Sequence, residues 1–360
     1  MTTEVMTPEG LVERLFGSVL GMMDVHMVYV GDRLGFYRAL AGGSATAPEL
    51  AAATATDARY VREWLEQQAV TGILDVDDSG DDPEGFRYTL PAPYVEVFTD
   101  RDSLNYLAPF ARMMVGVVRP LPAVLEAFRT GGGVPYADYD ADFNEGQGDM
   151  NRTMFVSLLG SAWLPAIADV DARLRADPPA RVADVACGTG FSTLAIAQAY
   201  PNVRVDGIDL DPASIELARG NLAASGLADR VTFELRDAAD PGLHGTYDLV
   251  TVFEAIHDMS RPVEALRGIR GLLAEGACAI VADERVAATF TAPGDEVERL
   301  MYGYSVLACL PMGRAEEPSA ATGTAMRPHT MRGYALEAGF ADVEILPIEN
   351  DFWRFYRLNT

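Results

Sequence analysis

The sequence predicts an α/β protein in which a doubly wound, mostly parallel sheet follows a mainly helical N-terminal region. Short apolar runs recur along residues 181–283, and segments with helical apolar spacing separate them. Strands that alternate with helices in this way are typical of parallel sheets. Residues 9–41 differ, because their apolar positions keep helical spacing throughout. At 360 residues the chain is long enough for about two domains.

The central stretch of the predicted sheet is RVADVACGTGFSTLAIAQAY, residues 181–200. Its apolar run 182–186 predicts a buried strand, residues 191–200 predict a helix, and the glycine-rich turn CGTG joins them. Such a turn lets the backbone approach a ligand closely. A dinucleotide site has a third glycine in G-x-G-x-x-G, where this chain has Thr193, so an NAD site is less favoured.

Acidic residues follow the next predicted strands. Asp209 ends strand 203–209, about twenty residues after the glycines, where a carboxylate can accept hydrogen bonds from ribose hydroxyls. Asp237 follows strand 231–235, and Glu254 and His257 follow strand 247–253. Asp283 ends strand 278–283. Ligands of open α/β sheets bind at this carboxyl edge, so we expect these side chains to lie near one site.

In combination these motifs resemble the class I S-adenosylmethionine-dependent methyltransferases over roughly residues 178–360. The resemblance implies a Rossmann-like sheet of seven strands, the last antiparallel, with S-adenosylmethionine as the cofactor. Ala186 stands where the family commonly has glycine, which we treat as a minor change because alanine is small. The predicted cofactor-binding residues are Asp184, Ala186, Gly188, Gly190, Asp209, Leu210, Asp237, Ala238 and Glu254.

Methyl transfer to oxygen also requires a base that removes the hydroxyl proton. By resemblance to plant-type O-methyltransferases, His257 is the predicted general base and Asp283 the acid that orients it. Met259 replaces that family's aromatic residue, and its second acid has no match near Arg327. The alternative for His257 is a residue at a helix start that hydrogen-bonds to the backbone.

The N-terminal region has the outline of a winged helix. A helix capped by Thr56 or Asp57 and ended by Gly72 precedes two short strands, 73–76 and 86–90. The whole chain resembles the winged-helix subset of small-molecule methyltransferases, which implies that this region dimerises and covers the site. In a DNA reader the second helix would present basic residues, but here Glu63 and Glu66 offset the arginines at 59 and 62.

We predict a winged-helix and dimerisation domain at 1–100, bridging helices at 101–176 and the S-adenosylmethionine-binding domain at 177–360. Residues 134–148 contain aromatic residues without periodicity. They are either an ordered loop over the cofactor or a surface connection.

Composition excludes several function classes. The formal net charge is −25, which disfavours nucleic acid and anionic membranes as partners. The chain has no lysine, which excludes a Schiff base and a Walker lysine. Its three cysteines have no metal-ligand spacing, so we predict no metal site and read them as reduced thiols of a cytoplasmic protein. We find neither a signal peptide nor a membrane-spanning segment.

The sequence therefore predicts methyl transfer from S-adenosylmethionine to a small molecule, a hydroxyl of a secondary metabolite, by a homodimer. Two alternatives stay open. One is a winged-helix transcriptional regulator that senses the cofactor. The other is an enzyme of this fold with non-methylating chemistry, such as hydroxylation or decarboxylation, for which the missing second acid leaves room.

Overall fold

The computed structural model describes residues 6–79 and 82–360. They form two compact units, one that ends at Gly116 and one that begins at Val117. This division falls inside the segment 101–176 that the sequence assigns to bridging helices. Each unit has buried apolar side chains of its own.

The first unit is helical with one antiparallel hairpin, the outline that the sequence predicts. The expected helix 9–41 is interrupted, because Gly35 adopts the left-handed conformation with φ 74° between two shorter helices. Tyr37, Trp64 and Leu65 are among its buried core residues. Its elements are α1 Pro8–Arg33, α2 Phe36–Leu40, α3 Ala47–Thr54, α4 Ala58–Val70, β1 Asp75–Asp77, β2 Arg87–Thr89, α5 Ala92–Thr99 and α6 Ala108–Gly116.

Helix α4 occupies the place of a recognition helix. Of the two candidate caps, Asp57 caps it, since its Oδ1 accepts hydrogen bonds from the backbone N–H groups of Arg59 and Tyr60 at 2.9 and 3.2 Å. Arg59 is ion-paired with Glu63, and the arginine one turn later is paired with its own glutamate. The basic side chains of this helix are therefore matched by acids on the same face.

The second unit contains a seven-stranded sheet in the order β5-β4-β3-β6-β7-β9-β8. The neighbours from β5 to β7 are parallel, and the last strand, β9, runs antiparallel to β7 and β8, which confirms the predicted sheet. Its strands are β3 Arg181–Val185, β4 Arg204–Asp209, β5 Val231–Leu235, β6 Tyr247–Phe253, β7 Leu273–Glu284, β8 Asp342–Ile345 and β9 Trp353–Asn359.

Helices cover both faces of this sheet. Successive residues of β3 alternate between two apolar clusters, with Val182 in one and Ala183 in the other. A strand buried on both faces must be apolar throughout, which explains the continuous run in the sequence. The helices are α7 Leu121–Thr130, α8 Ala141–Met154, α9 Ala168–Arg175, α10 Phe191–Ala199, α11 Pro212–Ser225, α12 Pro262–Leu272, α13 Glu296–Tyr304, α14 Leu310–Gly313 and α15 Pro328–Glu337.

Two helical regions differ from expectation. Residues 134–148 are not a continuous loop, because Asp140 caps α8 and the helix begins at Ala141. A second long helical run begins at Glu296, changes to a π-helix over Ser305–Cys309 and continues to Gly313, and apolar spacing alone does not predict this change. A second π-helix, Phe155–Trp163, extends α8. π-helical segments are rare and occur frequently at functional sites.

Among the helices of residues 6–79 and 82–360, none is both long enough and apolar enough to cross a membrane alone. Two bent pairs meet that test by length and composition only, α6 with α7 and the helical run 141–163 with α9.

Candidate functional site

The carboxyl edge of the sheet borders a cavity of about 580 Å³ in the second unit. This volume is within the range of small-molecule and cofactor sites. All of the predicted cofactor-binding residues line it except Asp184 and Gly190. Those that do are Ala186, Gly188, Asp209, Leu210, Asp237, Ala238 and Glu254.

Asp209 joins two loops at the end of β4. Its Oδ2 accepts a hydrogen bond from the backbone N–H of Gly188 at 2.7 Å, and its Oδ1 accepts one from that of Asp211 at 2.8 Å. Burial raises the pKa of Asp209, and these backbone hydrogen bonds oppose that rise. A carboxylate offers about four lone-pair sites, so each oxygen keeps capacity for a ligand hydroxyl.

Asp184 and Gly190 support the glycine-rich turn from behind and do not line the cavity. The Asp184 carboxylate is buried and accepts hydrogen bonds from the hydroxyls of Ser192, Thr193 and Thr251 at 2.6–2.8 Å. Gly190 has φ 83°, and a Cβ there would lie 2.5 Å from the Phe233 ring. Both residues thus support the turn, and the prediction that they contact a cofactor stays a prediction.

Ala186, at the end of β3, adopts the left-handed conformation with φ 56°. A side chain makes that region unfavourable, which explains why glycine is the usual residue there. The small size of alanine suggested that its presence at this position is neutral. It is not neutral, because the backbone angle, and not the volume of the side chain, sets the constraint.

Asp237, after β5, is held by a neighbour in the same cavity wall. Its Oδ2 lies 2.9 Å from the guanidinium of Arg261, and its Oδ1 accepts a hydrogen bond from the backbone N–H of Ala239 at 2.8 Å. We call Gly188, Asp209 and Asp237 the open edge, because they line the cavity at the ends of β3, β4 and β5.

Helix α8 forms a wall that the sequence did not predict. Asn144, Gln147, Gly148 and Asn151 line the cavity from this helix, and Tyr136 lines it from the preceding turn. Of the two readings of residues 134–148, these positions favour the one that covers a ligand. Asp140 three residues before Phe143 is a helix-start signal that could have revealed the helix.

A second group of charged side chains follows β6 and β7. The parallel register pairs Phe253 with Ala282, so the residues after them, Glu254 and Asp283, lie at neighbouring strand ends. We name Glu254, His257, Asp258, Asp283 and Glu284 the buried charge cluster. His257, Asp283 and Glu284 are 1–3% exposed.

Glu254 and Glu284 form a carboxyl pair within this cluster. Glu254 lines the cavity, has φ 54° and accepts a hydrogen bond from the Asn151 side chain. Burial raises the pKa of Glu254, and the side-chain hydrogen bonds with Glu284 and Asn151 oppose that rise. Burial, and then the negative charge of Glu254, raise the pKa of Glu284 well above its usual range. Two buried carboxyls in contact hold a proton between them.

His257 lies between two carboxylates. Its Nδ1 is 2.7 Å from Asp283 Oδ1, the partner that the sequence predicts, and its Nε2 is 3.2 Å from Asp258 Oδ1. Burial lowers the pKa of His257, but Asp258 and Asp283 outweigh it and raise that pKa well above its usual range. The side chain does not line the cavity, unlike Asp258. These charges favour the protonated imidazole, and a general base must first lose that proton.

Comparisons with known proteins agree with this architecture. Residues 176–313 match the family model described as a methyltransferase domain, and residues 22–100 match the one described as an Rv2258c-like winged HTH domain. The chain carries a methyltransferase domain after a winged-helix domain. The glycine-rich turn, the open edge and the buried charge cluster all lie within the matched range of the methyltransferase domain.

Curated relatives match part of the chain. Ajmaline N-methyltransferase of Rauvolfia serpentina is 33% identical over 104 residues, 29% of this chain and 35% of that protein. The ubiquinone/menaquinone biosynthesis C-methyltransferase of Geobacter sulfurreducens is 31% identical over 134 residues, 37% of this chain and 50% of that protein. The matched region spans about a third to a half of these relatives' length.

Solved structures share the fold across both domains. Mitomycin 7-O-methyltransferase has a TM-score of 0.70 at 20% identity, with 97% of each chain covered. Human N-acetylserotonin methyltransferase, solved in complex with S-adenosylmethionine, has a TM-score of 0.68 at 17% identity, with 100% of this chain and 99% of that chain covered. At these identities the likeness concerns the fold, which is that of class I methyltransferases.

Proposed function

We propose that this protein transfers the methyl group of S-adenosylmethionine to a hydroxyl of a small secondary metabolite. The observation that carries the proposal is the open edge, where Gly188, Asp209 and Asp237 line one cavity inside a methyltransferase domain. In the reaction the bond between methyl carbon and sulfonium breaks as a bond to the acceptor oxygen forms. The hydroxyl proton passes to a base, and the demethylated cofactor leaves as a neutral thioether.

The cofactor roles follow from the hydrogen-bonding groups at the open edge. Asp209 accepts hydrogen bonds from the ribose hydroxyls, Asp237 contacts the adenine, and Leu210 and Ala238 supply apolar wall beside them. Gly188 lets the backbone approach the methionine portion. Glu254 places a carboxyl in the wall of the same cavity, and negative charge there favours a sulfonium.

For the proton, His257 with Asp283 stays the predicted base and orienting acid. The pairing at 2.7 Å supports the orienting role of Asp283. Base action requires that the acceptor reach Nε2 in place of Asp258 and that the imidazolium first lose its proton. The pH optimum should therefore lie above the ordinary imidazole range.

Binding and product analysis test the proposal separately. Calorimetry with S-adenosylmethionine, its demethylated product and NAD should show binding of the first two only. Incubation of metabolite extracts with methyl-labelled cofactor should then label a small molecule whose mass rises by one methylene. Binding of NAD alone would contradict the cofactor. Cofactor binding with a product that has gained or lost other atoms would support the non-methylating alternative.

We propose that the protein is a homodimer. Apolar side chains along α1 are 42–66% exposed and recur at helical spacing, which is typical of a helix seam that a second copy covers. The exposed set is Leu11, Val12, Leu15, Phe16, Val19, Leu20, Met22 and Met23.

Light scattering of the full chain should show a dimer that L15E/F16E converts to a monomer. Tyr60→Glu on α4, where an exposed aromatic stands outside this stripe, is the matched control and should stay dimeric. A wild-type monomer at high concentration would refute the homodimer.

We propose a cytoplasmic location, no nucleic-acid partner and no membrane partner. The free cysteines at 187, 278 and 309 suit a reducing compartment, and the ion pairs of α4 leave little positive charge for phosphates. Cell fractionation tests the location. A gel-shift assay at low salt tests the regulator alternative, which a retarded DNA band would favour.

We also propose that the domain boundaries lie near residues 100 and 176. Limited proteolysis tests these boundaries.

A further inference from the structure

Three side chains of different chemistry converge beside the cavity. The Nε2 atom of His257, a carboxylate oxygen of Asp258 and the sulfur of Cys309 all lie within 4.8 Å of one another. The first two come from the turn Ile256–Asp258, and Cys309 ends the π-helix Ser305–Cys309. His257 and Cys309 are buried, and Asp258 is half-buried in the cavity wall.

The groups around these atoms resemble those of a metal site. Asp283 lies 2.7 Å from Nδ1 of His257, so the neutral tautomer donates Nδ1–H to that carboxylate and turns the Nε2 lone pair toward the other donors. Histidine ligands of metals are held by a carboxylate in this way. Oδ1 of Asp258 is buried, and Nε2 of His257 lies 3.2 Å from it without the geometry of a hydrogen bond. A metal ion between these two atoms would satisfy both of them.

We propose that His257, Asp258 and Cys309 bind a zinc ion, with Asp283 as a positioning residue. One nitrogen, one oxygen and one sulfur donor suit zinc, whereas calcium and magnesium prefer oxygen donors alone. Zinc sites with three protein ligands keep a fourth position for water or substrate. Because Asp258 also lines the cavity, that position is available to a hydroxyl there. Metal binding needs neither methyl donor nor acceptor, so it can be tested without the proposed function. Zinc on Nε2 and proton removal by Nε2 exclude each other, so the zinc form and the form in which His257 acts as the base are two states of one site.

Metal binding must release protons at this site. In the metal-free protein Asp258 and Asp283 raise the pKa of the His257 imidazole between them. Burial, with the charge of Asp258, raises the pKa of the Cys309 thiol to about 12, so the sulfur is protonated. A zinc ion replaces the imidazolium proton and the thiol proton, so about two protons leave for each ion bound. Affinity should therefore rise steeply with pH.

Cobalt is the probe, because cobalt bound to a thiolate has a charge-transfer absorption in the near ultraviolet. The full-length protein, treated with a chelator and dialysed, should bind one cobalt ion per chain with this absorption, and zinc should remove it. Calorimetry in buffers of different ionisation enthalpy should report about two protons released. Cys309→Ser should abolish the thiolate absorption. Asp283→Asn should keep it but weaken affinity by about ten- to a hundredfold.

Cys278→Ser is the matched control, since Cys278 is an equally buried thiol of β7 outside this cluster. It should bind cobalt as the wild type does. Circular dichroism and thermal unfolding check each variant, and Asp258→Asn, which preserves shape, carries the test if Cys309→Ser fails to fold. The proposal is overturned if wild-type protein shows no thiolate-to-cobalt absorption. It is equally overturned if Asp258→Asn or a folded Cys309→Ser variant binds the ion unchanged.

Discussion

The open edge and the buried charge cluster lie in the same domain, yet they manage charge in opposite ways. At the open edge Asp209 accepts hydrogen bonds from backbone N–H groups, and Asp237 faces an arginine. In the buried charge cluster the acids contact one another and a histidine, and side chains such as Asp283 are nearly inaccessible. A carboxylate that accepts hydrogen bonds from the backbone still has lone pairs for a ligand. Buried carboxylates that contact one another instead keep protons or attract cations.

Because of this difference, mutations in the two groups should affect different properties of the protein. Loss of a carboxylate at the open edge should weaken binding of the cofactor and leave the chemistry in place. Loss of His257, Asp283 or Glu284 from the buried charge cluster should change proton or charge transfer and leave cofactor affinity nearly constant. The predictions below test this separation.

The largest effect is expected for His257→Ala. Loss of a general base lowers turnover by about 10²–10⁴, and cofactor affinity should hardly change because the open edge is intact. Wild-type turnover should rise with pH, and the midpoint of that rise should lie above pH 6.5, because Asp258 and Asp283 raise the pKa of the imidazole. Steady-state kinetics over a pH series measures both.

His244→Ala is the control for that experiment, because His244 is an exposed histidine on a loop outside the cavity wall. It should behave as the wild type. If His257→Ala retains most of its turnover, the imidazole is structural and the separation between the two groups is lost.

The next largest effect is expected for Asp209→Ala. A hydrogen bond to a charged group contributes about 1.5–3 kcal/mol, so cofactor affinity should fall by roughly tenfold or more. Calorimetry measures it directly. Asp206→Asn, on the same strand but bonded to Thr232 and Tyr247 outside the cavity, is the control and should bind normally. Unchanged affinity in Asp209→Ala would remove the ribose assignment.

The sequence predicted the open edge because its signals are local. Gly188, Asp209 and Asp237 each follow a recognisable strand at a spacing that the parallel sheet imposes. It also predicted that His257 and Asp283 meet, because neighbouring strands end at the same edge. The burial of His257 was not predictable, because the π-helix Ser305–Cys309, distant along the chain, brings Cys309 beside it.

Helix α8 was missed for a similar reason. Gly146 and Gly148 give this segment low helical propensity, so residues 134–148 resembled a loop. In the fold, a Cβ on Gly148 would lie 2.5 Å from the Thr189 hydroxyl, so glycine there allows close packing of the helix on the turn. Tertiary contact thus overrode local preference.

The proposed metal-ligand arrangement was missed because Cys309 is far from His257 along the chain, and spacing rules detect only ligands that are near one another in sequence.

A smaller effect is expected for Glu284→Gln. Burial and the charge of Glu254 raise the pKa of Glu284, so the folded state keeps its proton at a pH where the unfolded chain, with a pKa near 4.3, has lost it. The stability from that proton is present below about pH 4.3 and is lost as pH rises toward the folded pKa. As pH rises, the free energy of unfolding should therefore fall less steeply in the variant than in the wild type. The two slopes should differ by up to about 1.4 kcal/mol per pH unit.

Denaturant titrations from pH 4 to 9 measure this slope. Glu344→Gln, an exposed glutamate of β8, is the control and should keep the wild-type slope. A Glu284→Gln slope equal to the wild type would mean that the carboxyl pair does not hold a proton, and the buried charge cluster would then not differ from the open edge in this respect.

The smallest effect is expected for Ala186→Gly, at the residue that leads into the open edge. An alanine in the left-handed region costs roughly 1–2 kcal/mol, whereas glycine loses about 0.4–1 kcal/mol of chain entropy. Replacement should therefore stabilise the domain by about 0.5–1 kcal/mol, which thermal unfolding would register as a rise of a few degrees. Ala183→Gly, within the same strand at ordinary φ, should destabilise it. If Ala186→Gly instead lowers stability while cofactor affinity stays constant, contacts of the alanine methyl outweigh the backbone strain. If it gains stability but loses affinity, the strained backbone itself shapes the open edge for its ligand.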